Sequence, residues 1–245
     1  MQDLLTHKNH KKRVIIIISI ASSFIFLFSM IMVSFFAYSK NKRKYFEEKK
    51  LYLVYACKSL KKSEVSVNQK KIKDLGGAGN IYKNKDFYYL IVSVYTNKKD
   101  AEEIKNNVKN NFKEADVLTL NIKKYSRKDI DLLKTNSNCI NFIKIVDAFN
   151  EEFIEKQLLF LSGLITVRDI STFLIEKRIK VETFINNFNS KDEPLFEKVF
   201  IYENMALMYL TNFLDKFFES TKKDSLICDI AVNMAILQFE MSNNL

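Results

Sequence analysis

From Val14 to Tyr38 the chain runs for 25 residues without a charged side chain. A helix of that length rises about 37 Å, enough to cross a hydrocarbon layer of about 30 Å with some tilt. The sequence therefore predicts a transmembrane helix over residues 14–38. A cleaved signal peptide is the competing assignment. Its apolar region is about 7–15 residues long and ends in a small-x-small site. The segment here is longer, and Phe36-Ala37-Tyr38-Ser39 lacks small residues at both flanking positions. Lys8, Lys11, Lys12 and Arg13 precede the span, and Lys40, Lys42, Arg43 and Lys44 follow it, so the charge bias is nearly balanced. A short basic tail over residues 1–13 favours a cytoplasmic N-terminus, with the rest extracytoplasmic. The expected location is the cell membrane, spanned once, with residues 39–50 as a juxtamembrane linker.

Composition narrows the chemistry available to the remainder. Hydrophobic residues make up 47% of the 245 and charged residues 28%, which suits packed domains and not a disordered chain. His7 and His10 are the two histidines, so the body of the protein holds no histidine for a triad or a zinc site. Cys57, Cys139 and Cys228 form no C-x-x-C pair. No catalytic residue, metal ligand or cofactor is assigned, and the chain is expected not to be an enzyme.

Charge divides the chain after the span. Residues 40–128 carry 23 Lys/Arg against 10 Asp/Glu, whereas residues 129–245 carry 12 against 18. This change of sign predicts two domains meeting near Ser126–Asp129. A basic block of this kind suits a solvated surface, an anionic lipid surface or an anionic polymer. Nucleic acid is not expected as a partner.

Within the basic block, two stretches align at a spacing of 36 residues: Tyr52 to Ser59 and Tyr88 to Tyr95. Both are rich in strand-favouring residues, and each precedes a polar segment able to start a helix. Ser63 is the expected cap of the first helix, which continues through Val67 and Ile72 to Leu75. Asn97 caps the second, with Ile104, Val108 and Phe112 on one side. Gly76-Gly77-Ala78-Gly79 reads as a helix stop, because it lacks the Lys-Ser/Thr of a phosphate loop and follows a helix. Asn80-Ile81-Tyr82 and Val117 to Ile122 supply two further strands. The order is β-α-β-β-α-β, four strands backed by two helices.

Residues 51–124 with this pattern resemble the SPOR (sporulation-related repeat) domain family of bacterial envelope proteins, most closely in Tyr88 to Tyr95 and the following Thr96 to Glu102. The resemblance implies a ferredoxin-like fold. It also implies binding to peptidoglycan glycan strands stripped of stem peptides, during sporulation or cell division. Binding in that family uses the helix-free face of the sheet. Alternation places Val54, Ala56, Leu90 and Val92 towards the helices. It places Leu53, Tyr55, Cys57, Tyr89, Ile91 and Ser93 on the other face, so Tyr55, Tyr89 and Ile91 are the candidate glycan-binding residues. This chain has Cys57 and Ser93 where the family usually has glycine. It also carries Tyr55 and Ile91 where polar residues are common. A face this apolar suits either sugar stacking or contact with protein, including the C-terminal domain.

From Asp129 the apolar period shifts to that of helices. Four are expected: one carrying Ile140 to Leu161 and ending before Gly163, one over 168–187, one starting at Pro194 after an Asp192 cap, and one starting near Ser225. Residues 129–245 are read as an all-α helical bundle with a protein partner. The whole is an α+β chain: transmembrane helix, βαββαβ SPOR-like domain, helical bundle. Two functions follow from this reading. Either the SPOR-like domain holds glycan strands, or the α+β and helical domains serve protein–protein assembly without glycan.

Overall fold

The computed structural model describes residues 48–187 and 194–245. The predicted membrane helix, the tail before it, most of the linker and the Asp192 cap lie outside the described residues. Residues 46–245 form one compact unit.

Four strands build an antiparallel sheet: β1 (Lys49–Ser59), β2 (Asn80–Asn84), β3 (Phe87–Tyr95) and β4 (Asp116–Ile122). Their spatial order is β2-β3-β1-β4. Helices α1 (Lys62–Ser66) and α2 (Gln69–Asp74) connect β1 to β2, and α3 (Lys98–Lys109) connects β3 to β4. The expected first helix is thus two short pieces meeting at Asn68, and Ser63 sits inside α1 rather than capping it. Asn97 does cap α3, its side chain accepting from the Lys99 backbone N–H at 2.9 Å. Val54, Ala56, Leu90 and Val92 face these helices, packed with Val65, Ile72 and Ala101.

Two irregularities change the faces predicted from strict alternation. Val54 pairs with Ser93 but Tyr55 with Ile91, which leaves Val92 as an extra residue in β3. Tyr55 pairs with Ile91 but Cys57 with Leu90, which leaves Ala56 extra in β1. A bulge shifts everything beyond it by one residue and so reverses its face. Cys57 consequently packs with Leu90 on the α1–α3 side, and Ser93 aligns with Val54 there, both away from Tyr55.

The helical half begins where the charge changes sign. Ser126 is the N-cap of α4 (Arg127–Leu133), accepting from the Asp129 N–H. There follow α5 (Ser137–Leu161), α6 (Val167–Asn186), α7 (Pro194–Phe217) and α8 (Lys223–Asn244). A reciprocal capping box between Thr166 and Asp169 starts α6, and Pro194 opens α7 as expected, since its missing N–H costs nothing there.

Helix α8 organises the rest. It buries residues around nearly its whole circumference, among them Ile227, Ile230, Val232, Met234, Leu237 and Met241. It is long and apolar enough to cross a membrane by length and composition, yet it is mostly buried inside the fold. Only a narrow half-exposed stripe, Leu226, Asp229, Asn233, Ile236, Glu240 and Asn243, stays open, and the broad apolar remainder must be covered by neighbours. Strands β3 and β4 cover one side, and α5 and α7 pack on others, with α6 against α5 and α7. One continuous apolar cluster therefore runs from Leu53, Ile91 and Leu120 in the sheet through α8 to Phe149, Phe153 and Phe213.

At the corner after α2 the backbone comes close against the sheet. Gly76 and Gly79 hold φ of +85° and +70°, which favours glycine. A Cβ on Gly77 would stand 2.8 Å from Ile72 Cγ2 and 2.9 Å from Val92 Cγ1. Gly77→Ala is expected to lower unfolding stability by about 1–3 kcal/mol, read by urea denaturation, through overpacking of a filled core.

Candidate functional site

The structure does bring Tyr55, Tyr89 and Ile91 together on the face opposite α1–α3. The Tyr55 and Tyr89 rings meet edge to face at 5.1 Å, Phe87 follows at 6.4 Å from Tyr89, and Lys58 Nζ lies 5.3 Å from the Phe87 ring centre. That face is not bare. Ile91 is wholly buried and Tyr55 is 6% exposed, within the cluster that includes Ile227, Ala231 and Val232 of α8. Burial pushes the Tyr55 phenol up to about 12, with Asp116 adding to the effect. Tyr89 is half-buried, and Phe87 is exposed at the rim. The expectation of an open glycan-binding face is thus corrected: the broad apolar surface of α8 needs a cover, and this face supplies part of it.

Polar groups join the two layers at the start of β1. Lys49 Nζ donates to Glu151 Oε1 of α5 at 2.8 Å and lies 3.4 Å from Asp147 Oδ2. Gln238 of α8 donates through Nε2 to the other oxygen of Asp147. Asn150 donates to Gln238 Oε1 at 2.8 Å and to the Met234 carbonyl at 3.2 Å. Burial pushes Asp147 up to about 6, against the opposing pull of Lys49. Deeper in the helical layer, Glu203 is fully buried with no hydrogen-bond partner among the described residues, and burial raises it to about 7. Cys139 is also fully buried; burial pushes its thiol up to about 12, with Glu203 adding to the effect. An inert thiol fits this environment better than a nucleophile. No group of three His, Cys, Asp or Glu is arranged for a metal ion among the described residues.

A cleft of about 630 Å³ opens between α2, α7 and α8. Its floor holds Ala78, Phe213 and Ile230, with Tyr209, Asp229 and Asn233 on the walls. Lys70 and Lys73 of α2, Lys216 of α7 and Lys222 stand around it. In the sequence the α2 lysines are only part of the basic block, because nothing local indicates that α7 returns beside them. Burial raises Asp229, opposed chiefly by Lys73, with Asn80 and Lys216 contributing. At the corner leading into α8, Lys222 pairs with Asp74. Lys223 Nζ donates to the carbonyls of Phe217 and Ser220 at 3.1 and 3.0 Å, while Ser225 Oγ donates to the Gly77 carbonyl at 2.9 Å. The bonds from Lys222 and Ser225 tie the start of α8 to α2 and to the glycine corner that follows it.

The raised carboxyls make the folded state bind protons more tightly than the unfolded chain. Their contribution is favourable in acid and is lost as pH rises, between 3.8 and about 6 for Asp147 and between 4.5 and about 7 for Glu203. Glu203→Gln is expected to stabilise the protein at pH 8 by about 2 kcal/mol and to flatten the loss over that upper window, as read by denaturation at a series of pH values. Lys49→Met should cost about 1–3 kcal/mol at pH 8, where Asp147 and Glu151 lose their cation. At pH 5, with Asp147 protonated, the same substitution should cost less.

Comparison with known proteins finds no matching family model, no matching curated protein and no matching solved structure.

Proposed function

We propose that this chain is a membrane-anchored, non-enzymatic cell-envelope protein whose two layers act together as a scaffold for protein assembly. The uncharged span 14–38 is the anchor, with the N-terminus cytoplasmic and the folded unit extracytoplasmic. The strand order and the β-α-β-β-α-β succession support a ferredoxin-like, SPOR-like layer, and with it a place in sporulation or cell division. No reaction is assigned.

The observation that carries the assembly reading over the glycan-binding one is the burial of Tyr55 and Ile91 beneath α8. A sugar strand cannot stack on a face already filled by a helix without first removing it. Lifting α8 away would expose Ile227, Ala231, Val232 and their partners, at about 25 cal/mol for each Å² of apolar surface. The outer surface of the helical layer, by contrast, presents large apolar side chains to solvent. Ile175 and Ile179 stand one turn apart on α6, and Ile201 is exposed on α7. Contacts made there suit a partner that is itself a protein.

A pull-down with purified, peptide-free glycan strands tests this. The full-length chain in nonionic detergent is expected to stay in the supernatant. Retention that is lost in a Phe87→Ala/Tyr89→Ala variant would reinstate the glycan-binding function at the sheet rim.

A further inference from the structure

We propose that the cleft between α2, α7 and α8 binds a phosphate-bearing ligand, held by Lys70, Lys73 and Lys216. The site stands apart from the scaffold reading, since none of Lys70, Lys73 and Lys216 belongs to the exposed apolar side chains of α6 and α7 invoked there.

Three observations converge on it. Lys70, Lys73 and Lys216 make no ion pair among the described residues, although elsewhere Lys49, Lys105, Lys177 and Lys222 all do. Three like charges are thus gathered around one concavity from two different helices. Like charges placed around a common space repel, and an anion between them relieves that repulsion. Two carboxylates stand near, Asp229 on the wall beside Lys73 and Lys216, and Asp74, which pairs with Lys222 and also feels Lys70; they are too few to balance the four lysines around the cleft.

The second observation is pre-organisation. The side chain of Lys73 lies over Gly79, where a Cβ would stand 2.9 Å from its Cγ and 3.0 Å from its Cε. The absent side chain at Gly79 thus makes room for the lysine stem, while the lysine as a whole stays exposed at the rim of the cleft. Lys216 occupies the last turn of α7, where the helix dipole favours a cation. Holding long side chains in advance lowers the entropy lost on binding.

The third is donor chemistry. The lining includes no arginine, so the flat, two-pronged geometry that suits a carboxylate is missing. Separate ammonium groups from several directions suit a tetrahedral anion with oxygens on every side. Tyr209, Asn212 and Asn233 add polar groups, while Phe213, Ile230 and half-exposed Met208 offer an apolar wall to the organic body of the ligand. Such a phosphate belongs either to a soluble compound or to a lipid headgroup.

The test uses the full-length chain in nonionic detergent. Inorganic pyrophosphate is titrated by calorimetry at constant ionic strength, and water-soluble dihexanoyl-phosphatidylglycerol in a parallel arm. Saturable binding is expected in at least one arm. Binding of pyrophosphate alone assigns the phosphate to a soluble ligand, of the lipid alone to a headgroup, and of both to the phosphate group itself. A Lys70→Gln/Lys216→Gln variant should weaken it about tenfold or more with an unchanged melting midpoint. A Lys98→Gln/Lys99→Gln variant at the start of α3 should leave it unaltered. No saturable binding in either arm, no weakening in the first variant, or equal weakening in the second would overturn the proposal.

Discussion

The broad apolar surface of α8 is the constraint on which the rest of this fold depends. A helix of 22 residues whose half-exposed stripe is one residue wide (Leu226, Asp229, Asn233, Ile236, Glu240, Asn243) cannot lie on one surface, so it must lie between two. The sheet is one of those surfaces and the α5–α7 layer the other. Because α8 belongs to both, neither the strands nor the outer helices complete a core without it. The sheet has helices on both faces for the same reason. Its central strand β1 is correspondingly buried on both sides through Leu53, Val54, Tyr55 and Ala56.

Charge follows the same division and is partly cancelled across it. The basic strand-rich half and the acidic helical half meet through Lys49 with Asp147 and Glu151, at one end of the contact. A pair of opposite sense along the chain, Lys222 with Asp74, lies where α8 begins. Exposed pairs of this kind contribute little each, and Lys222 with Asp74 is among them. Lys49 differs because Asp147 is almost wholly inside, where a charge without a partner is costly. Attraction between the halves therefore adds specificity of placement to an association whose main driving force is apolar burial.

Much of the architecture was legible from residue pattern. The strands at Tyr52 and Tyr88, the stop at Gly76, the Asn97 cap and the helix starting at Pro194 all rest on local chemistry, and local chemistry survives folding. The two bulges were not legible, because nothing in Val92 or Ala56 distinguishes a residue that pairs from one that is skipped. Nor was the cover over Tyr55 and Ile91. Alternation reports which side chains share a face, not what lies above it. The apolar character of Ile91 was the available signal, and it was compatible with sugar as well as with protein. The lysine cleft escaped for a related reason: its two walls are separated by about 140 residues of chain, and each wall alone looks like an ordinary wet surface.

The position of β1 has a mechanical consequence. It is an inner strand, hydrogen-bonded to β3 on one edge and β4 on the other, and it begins at Lys49, inside the stretch expected to be linker. A load applied at Lys49 along this strand's own axis would act across bonds that run perpendicular to it. Extraction would have to shear two ladders together, and the Lys49 tie to α5 with them, instead of peeling one open bond by bond. A strand placed so resists a pull on its N-terminal end better than one lying at an outer edge.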